Sequence, residues 1–134
     1  MPTGVKLLLA HGASVRWWIR ENEKVIVRKE EVAGRQIRCV LIEGGEAEFI
    51  PGGSVSIVRL PGYRGNQNRV AFSEGEVLEI RDFDDRLIKR NHYCCPKCYA
   101  LTGEVVGRRP SQVAGREDAT MGCLDCGENW EVLL

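Results

Sequence analysis

Apolar and polar residues alternate over most of residues 5–81, in short segments rich in Val and Ile. A period of two is typical of half-buried β-strands. Turn-forming pairs such as Gly44-Gly45 and Pro61-Gly62 separate the segments. The pattern predicts eight strands: Val5–Ala10, Ser14–Arg20, Lys24–Lys29, Gln36–Ile42, Ala47–Ile50, Ser54–Leu60, Arg69–Phe72 and Glu76–Arg81. Strands at this spacing indicate a small β-barrel or a β-sandwich.

The alternation ends near residue 81, and the next segment has mixed charge around Phe83, Leu87 and Ile88. We interpret residues 82–91 as a linker with an apolar anchor. Further on, the pattern predicts three more short strands, at Ala100–Val106, Thr120–Gly122 and Asn129–Leu133. The predicted organisation is therefore a β-rich domain at 1–81, a linker at 82–91 and a small three-stranded module at 92–134.

Two pairs of cysteines with identical spacing lie in the small module. The chain reads Cys95-Pro96-Lys97-Cys98 and, after twenty-four intervening residues, Cys123-Leu124-Asp125-Cys126-Gly127. Two residues between paired cysteines allow one tight turn to aim both sulfurs at one ion, and zinc prefers four thiolates in a tetrahedron. The spacing predicts one structural zinc ion held by Cys95, Cys98, Cys123 and Cys126. His92 and Cys94 adjoin the first pair, and we interpret them as neighbours of the site that orient the ligands.

This arrangement resembles the zinc ribbon of the transcript-cleavage elongation factors and of the small ribbon subunits of RNA polymerases. The likeness covers about residues 92–134, including Gln112-Val113 and the ending Glu128-Asn129-Trp130. The resemblance implies a transcription partner, with RNA polymerase as the expected complex. In the cleavage factors an acidic pair with a nearby arginine assists the polymerase active site, and the nearest equivalents here are Arg116, Glu117 and Asp118.

The position of the hairpin tip in the ribbon is left open by the sequence. A symmetric hairpin turns near Arg108-Arg109 and presents a basic tip to nucleic acid or to an acidic protein. The comparison with the elongation factors places the tip near Glu117 and Asp118 instead, where carboxylates could assist a partner's magnesium ion. Assistance of a partner's chemistry by Glu117 and Asp118 is the minor hypothesis, because the order Arg-Glu-Asp departs from the family pattern.

Composition limits the classes of function. The formal net charge is zero and the sequence pI is about 6.7, so no global positive field draws the chain onto nucleic acid. The apolar run Leu7–Leu9 is too short for the core of a signal peptide, and no run approaches a membrane span. Paired cysteines without a signal peptide favour a reducing, cytoplasmic compartment and a metal site over disulfides.

A few aromatic and basic side chains suit contact with nucleic acid or a protein partner. On the predicted strand Ser14–Arg20, Trp17 and Trp18 point to opposite faces, so that at most one readily enters the core. Tyr63 and Arg64 lie in a polar, glycine-rich loop. Cys39 lies in an apolar run and is expected to be a buried structural thiol.

No self-contained active site is visible in the sequence. The two histidines, His11 and His92, are far apart, and a site with four cysteine ligands leaves no open position on the metal. We therefore expect a non-enzymatic interaction module that attaches to a transcription or other nucleic-acid assembly. The competing hypothesis is a structural subunit of a large particle, including a homo-oligomer, in which zinc only stabilises a protein-interaction element.

Overall fold

The computed structural model describes residues 3–49, 55–59 and 70–134. The chain forms two compact units, Met1–Asn91 and His92–Leu134. The strands are β1 (Gly4–Leu9), β2 (Val25–Val32), β3 (Arg35–Glu43), β4 (Glu46–Phe49), β5 (Val55–Arg59), β6 (Val70–Ser73), β7 (Val77–Asp82), β8 (Leu87–Arg90), β9 (Gly103–Pro110), β10 (Glu117–Cys123) and β11 (Asn129–Leu133). One short helix, α1, spans Trp17–Arg20, and a 3-10 turn spans Glu74–Glu76.

The first unit contains two antiparallel sheets. The larger has the strand order β2-β3-β1-β7-β8, and the smaller has the order β4-β5-β6. The core lies on one face of the larger sheet, where cross-strand neighbours such as Leu7, Val40 and Ile80 meet Phe72 of β6. Ala47 and Phe49 of β4 pack against the same cluster. The predicted mainly β fold is confirmed. The described strands do not close into a barrel, and their two sheets are compatible with the predicted sandwich.

Seven of the eight strands predicted in the first unit are present, and the exception is Ser14–Arg20. There the chain leaves an extended Arg16 and forms helix α1, whose Ile19 and Arg20 amides donate to the Arg16 carbonyl. Trp18 and Ile19 are both buried in the core. Consecutive residues of a strand normally point to opposite faces, whereas the turn of helix α1 directs both of these side chains into one cluster. The prediction of a strand was wrong here, while the prediction that only one tryptophan enters the core agrees with the structure.

Residues 82–91, predicted as a linker, contribute strand β8 to the larger sheet. β8 pairs antiparallel with β7, and the register slips by one residue between Ile80 and Arg81. Asn91 continues this attachment, because its amide donates to the Leu78 carbonyl over 2.9 Å. The segment therefore belongs to the sheet of the first unit and is not a spacer.

The second face of the larger sheet carries buried charge. Glu79, only 1% exposed, accepts hydrogen bonds from Arg81 and Arg90, each over 2.8 Å. On the neighbouring strand Lys6 pairs with Glu30 over 3.1 Å and also with Asp85. Burial alone lowers the pKa of Lys6, but hydrogen bonds to Asp85 and Glu30 raise it above its ordinary value. The same lysine holds the pKa of Asp85 below its usual range. Each buried charge therefore has a partner, as burial requires.

The second unit is a three-stranded antiparallel sheet with the order β11-β10-β9. Ala119 and Met121 of β10 point to its buried face, next to Trp130 of β11. The Trp130 indole donates to the His92 carbonyl over 3.1 Å. A Cβ at Gly103 would lie 2.7 Å from this indole, so the glycine is required for the tryptophan to lie against β9. This sheet is the predicted ribbon, although β9 begins and ends later than predicted and β10 is longer.

Candidate metal centre

Each cysteine pair is held by a backbone turn of the same design. The amide of Tyr99 donates to the Cys95 carbonyl over 2.9 Å, and the amide of Gly127 donates to the Cys123 carbonyl over 3.0 Å. Tyr99 and Gly127 both have a positive φ, of 62° and 78°. Glycine takes this conformation freely, whereas tyrosine takes it at a cost. The two turns are thus equivalent, although only the second has the glycine that the sequence pattern singles out.

A second pair of hydrogen bonds closes each turn onto the sheet. The Cys95 amide donates to the Ala100 carbonyl, and the Cys123 amide donates to the Glu128 carbonyl, each over 2.9 Å. The amides of Lys97 and Cys98 also point at the Cys95 sulfur, each at 3.4 Å. These two amides therefore orient the Cys95 sulfur within the cluster.

The four cysteine sulfurs lie close enough together to bind a single ion. Each cysteine offers one Sγ, and all four Sγ atoms lie within 4.8 Å of one another. The Sγ atoms of Cys95 and Cys126 are 3.5 Å apart, and those of Cys98 and Cys123 are 3.7 Å apart. Metal–sulfur bonds of about 2.3 Å in a tetrahedron require edges of about 3.8 Å. The residues fit a single metal ion with four thiolate ligands, and in this respect the arrangement is consistent with a zinc ribbon.

Thr102 is part of this environment and was missed from the sequence. Its hydroxyl lies 3.4 Å from the Cys123 sulfur and, with the amides of Cys126 and Asp125, lowers the pKa of Cys123 to about 6. Burial raises the pKa of the Cys98 thiol instead. The only signal for Thr102 in the sequence is a hydroxyl a few residues after the first cysteine pair, and its meaning depends on the register of β9 and β10.

Among the described residues that could hold a metal, the cluster of four does not include Cys94 or His92. Cys94 is fully buried, and its thiol points to the Cys95 carbonyl at 3.7 Å. His92 contributes its carbonyl to Trp130. Cys39 lies in the other unit, where burial raises its pKa to about 11, so it is a protonated structural thiol.

The tip of the ribbon hairpin lies between the two predicted places, over residues 111–116. Ser111 and Arg116 close the turn between β9 and β10 through the Ser111 amide and the Arg116 carbonyl, 3.2 Å apart. Arg108 and Arg109 lie before it in β9, and Glu117 and Asp118 lie after it in β10. The basic and acidic pairs face each other across the strands, with Asp118 opposite Arg109. The two alternatives drawn from the sequence therefore named residues that the hairpin pairs with each other.

The arginines of the ribbon are engaged within it. Arg108 forms an ion pair with Glu117 at 3.4 Å, and Arg109 forms one with Glu131 at 2.7 Å. Thr120 donates to Glu131 over 2.7 Å and joins the second pair. Arg116 donates to the backbone carbonyl of Leu134. The sequence presents these arginines as contacts for a partner, and their cross-strand carboxylates could be found only from the register.

The other predicted contact residues lie in the first unit. Trp17 is 66% exposed, whereas Trp18 is buried in the core. Tyr63 and Arg64 lie outside the described residues. The metal cluster and the exposed tryptophan therefore belong to different units of the chain. Among the residues that the structure describes, no helix combines the length and apolar character of a membrane span.

Comparison of the chain with models of known protein families gave no match, and comparison with curated proteins and with solved structures gave none either. The class defined by fold and site is a β-rich protein with a candidate four-cysteine metal ribbon.

Proposed function

We propose that this chain is a zinc-stabilised interaction module that attaches to a transcription or other nucleic-acid assembly. The observation that supports it is the cluster of four thiols, whose Sγ atoms lie within 4.8 Å of one another. Four sulfurs in tetrahedral geometry select zinc or iron, and structural zinc sites of this composition are common in ribbons. Zinc when bound would supply a closed, redox-inactive crosslink between the two cysteine turns.

The proposed module is not an enzyme. Four protein ligands complete the coordination of zinc, whereas hydrolytic zinc sites keep one position for water or substrate. Glu117, the first candidate for assisting a partner's catalysis, is paired with Arg108 at 3.4 Å, and Asp118 lies opposite Arg109 in the β-sheet. A carboxylate already paired with arginine, as Glu117 is, makes a poor ligand for a partner's magnesium ion, so the module is proposed to bind rather than to assist chemistry.

The ribbon itself is better suited to a protein partner than to phosphate. Residues 92–134 carry four Lys/Arg and six Asp/Glu, and four thiolates around a divalent ion add a charge of about −2. Arg108 and Arg109 are paired with carboxylates. A surface of this balance does not attract the nucleic-acid backbone. RNA polymerase is proposed as the partner from the resemblance of the ribbon to polymerase ribbons.

One observation favours the alternative of an assembly subunit. Strand β2 is an edge of the larger sheet as described, and its Ile26 is 59% exposed. An exposed edge with apolar side chains can pair with another chain. Self-association through β2 would then be the function, and the metal would only stabilise the neighbouring unit.

Metal analysis of the purified chain tests the core of the proposal. We expect one zinc per chain, with loss of the metal in Cys126→Ser because one ligand is removed. The matched control is Cys94→Ala, which changes the cysteine beside the site and should leave the stoichiometry unchanged. Iron in place of zinc, or full zinc in Cys126→Ser, would contradict the proposal.

Affinity capture from host extract then tests the partner, with and without nuclease and at two salt concentrations. Polymerase subunits that remain after nuclease treatment, and that Cys126→Ser no longer captures, support the transcription role. Capture of the chain alone, together with a dimer in solution that Lys29→Pro in β2 abolishes, would support the assembly alternative instead.

A further inference from the structure

Trp17 is the most exposed aromatic residue for which the structure gives a value, at 66%, although the tryptophan beside it is only 8% exposed. Helix α1 creates this contrast, because its single turn directs Trp18 and Ile19 into the core and leaves Trp17 outside. An exposed ring of this size forgoes the free energy of its burial, and tryptophan is enriched at binding surfaces.

Three arginines belong to, or hydrogen-bond with, the segment that carries this ring. Arg20 follows Trp17 by three residues, which places the two side chains on the same face of the helix. Arg16 precedes it and donates to the Ala71 carbonyl, so this side chain is fixed against β6. Arg38 reaches from β3 to donate to the Ala13 carbonyl over 3.2 Å. We name Arg16, Trp17, Arg20 and Arg38 the Trp17 patch.

The charge of the patch is positive but not uniform. Glu21 ends helix α1 and is its nearest carboxylate in sequence, against three arginines. Apart from Trp17, the exposed residues between 11 and 21 are polar or glycine: His11, Gly12, Ser14, Arg16, Arg20 and Glu21. A protein-binding hot spot normally has an apolar surround that excludes water from its aromatic residue. This ring has none among these neighbours in the chain.

A nucleic-acid base needs no such surround. Its flat face stacks on a single exposed ring, and the phosphates beside it are bound by guanidinium groups a few ångströms away. In a duplex the base faces are covered by their neighbours, so only a single strand offers a base to Trp17. We infer that the Trp17 patch binds single-stranded nucleic acid, with a base stacked on Trp17 and the adjoining phosphates on Arg20 and Arg38.

This inference adds a contact surface to the proposed attachment to a nucleic-acid assembly. It rests on the proposed function only for the biological context in which the strand is met. It separates the two tasks between the units: the ribbon contacts protein, and the Trp17 patch contacts the strand. It also assigns the nucleic-acid contact to different arginines from Arg108 and Arg109, which pair with Glu117 and Glu131.

The test uses the full chain loaded with zinc and a fluorescent oligothymidine of about 15 nucleotides, a length that covers typical single-strand sites. Fluorescence anisotropy should show binding that weakens with salt and is lost when the strand is paired in a duplex. Trp17→Ala should weaken binding about tenfold or more, and Trp17→Phe should retain most of it because the ring remains. Ile26→Ala removes a similarly exposed apolar side chain from the same unit and should change nothing.

The arginines provide an independent readout. Arg20→Gln should lower the dependence of log affinity on log salt by about one, since one phosphate contact is lost. Arg86→Gln, at an exposed turn residue outside the patch, should leave the slope unchanged. Equal affinities of wild type and Trp17→Ala, or no binding by chain that holds its zinc, would overturn the inference while leaving the metal module intact. Loss of a captured protein in Trp17→Ala, without any binding of the oligonucleotide, would overturn it in favour of a protein contact.

Discussion

The two units of the chain differ in what stabilises each of them internally. In the first unit, two sheets and helix α1 enclose a cluster of twelve buried apolar residues, with paired charges on the far face of the larger sheet. In the ribbon, the only buried side chains other than cysteine are Ala100, Ala119 and Met121. Apolar burial scales with core size, so the first unit can fold by burial, whereas we expect the ribbon to depend on a bound metal ion. The difference implies that stability can be removed from one unit at a time.

The largest effect is expected from removing the metal. Chelation or Cys126→Ser should unfold β9–β11, because metal binding supplies on the order of 10 kcal/mol to a site of this kind. Hydrogen exchange should show the amides of β10 losing protection while those of β1, β3 and β7 keep theirs. Protection retained in β10 without metal would show that the ribbon has enough core of its own.

The converse experiment removes a buried charge from the first unit. Glu79→Ala leaves Arg81 and Arg90 without their shared carboxylate and should lower the free energy of unfolding by about 3 kcal/mol. Denaturant unfolding of the first unit measures this loss, and the metal content should not change. Glu43→Ala, at an exposed position of β3, is the control with little expected effect. Loss of zinc from the Glu79→Ala variant would mean that the stability of one unit depends on the other.

A smaller effect is expected from adding one methyl group to the ribbon. Gly103→Ala places a Cβ 2.7 Å from the Trp130 ring and 2.9 Å from the Tyr93 carbonyl, and backbone cannot give way cheaply. We expect a loss of about 1–3 kcal/mol, seen as release of metal at lower chelator concentration. Gly107→Ala is the matched control on the same strand, since its nearest atom, the Thr120 Cβ, is 3.9 Å away. Equal losses of stability at both glycines would show that strand propensity, and not contact with the tryptophan, determines the effect of alanine.

The smallest pair of effects compares one substitution in both units. Gly34 and Gly127 have φ values of 76° and 78°, and a Cβ at either would meet nothing within 4 Å. Alanine at each should therefore cost only its backbone strain, about 1 kcal/mol. Gly34→Ala should shift the denaturant midpoint of the first unit alone, and Gly127→Ala should shift metal affinity alone. A change in the metal affinity with Gly34→Ala, or in the denaturant midpoint of the first unit with Gly127→Ala, would contradict the independence of the two units.

The sequence predicted features that depend on local pattern. Alternation marked seven strands, and the spacing of Cys95, Cys98, Cys123 and Cys126 marked one cluster, because each pair is a single turn of chain. Prediction from the sequence failed where tertiary contacts determine the local structure. Trp18 and Ile19 are adjacent apolar residues that suit a strand or a helix equally, and packing in the core favours the helix. We predicted Leu87 and Ile88 to be the apolar anchor of a linker, because the local sequence does not show that β7 has an edge on which β8 can pair.

The hairpin tip shows the same limit in the ribbon. Both proposed tips were chemically sensible, since one offered arginines and the other carboxylates. Strand register places them opposite each other, and register is fixed by pairing rather than by composition. The same reasoning explains why Thr102 was missed: its relation to Cys123 exists only once β9 and β10 are aligned.

The central position of β1 bears on how the chain folds during synthesis. Leu7 pairs with Val40 on one side and with Ile80 on the other, so β1 gains its second neighbour only after β7 has been made. Topologies with such distant partners fold slowly, and unpaired apolar strands are prone to aggregate meanwhile. The ribbon has only local hairpins between residues 103 and 133. Given metal, it should be the quicker unit to form, although the ribosome makes it after the first unit.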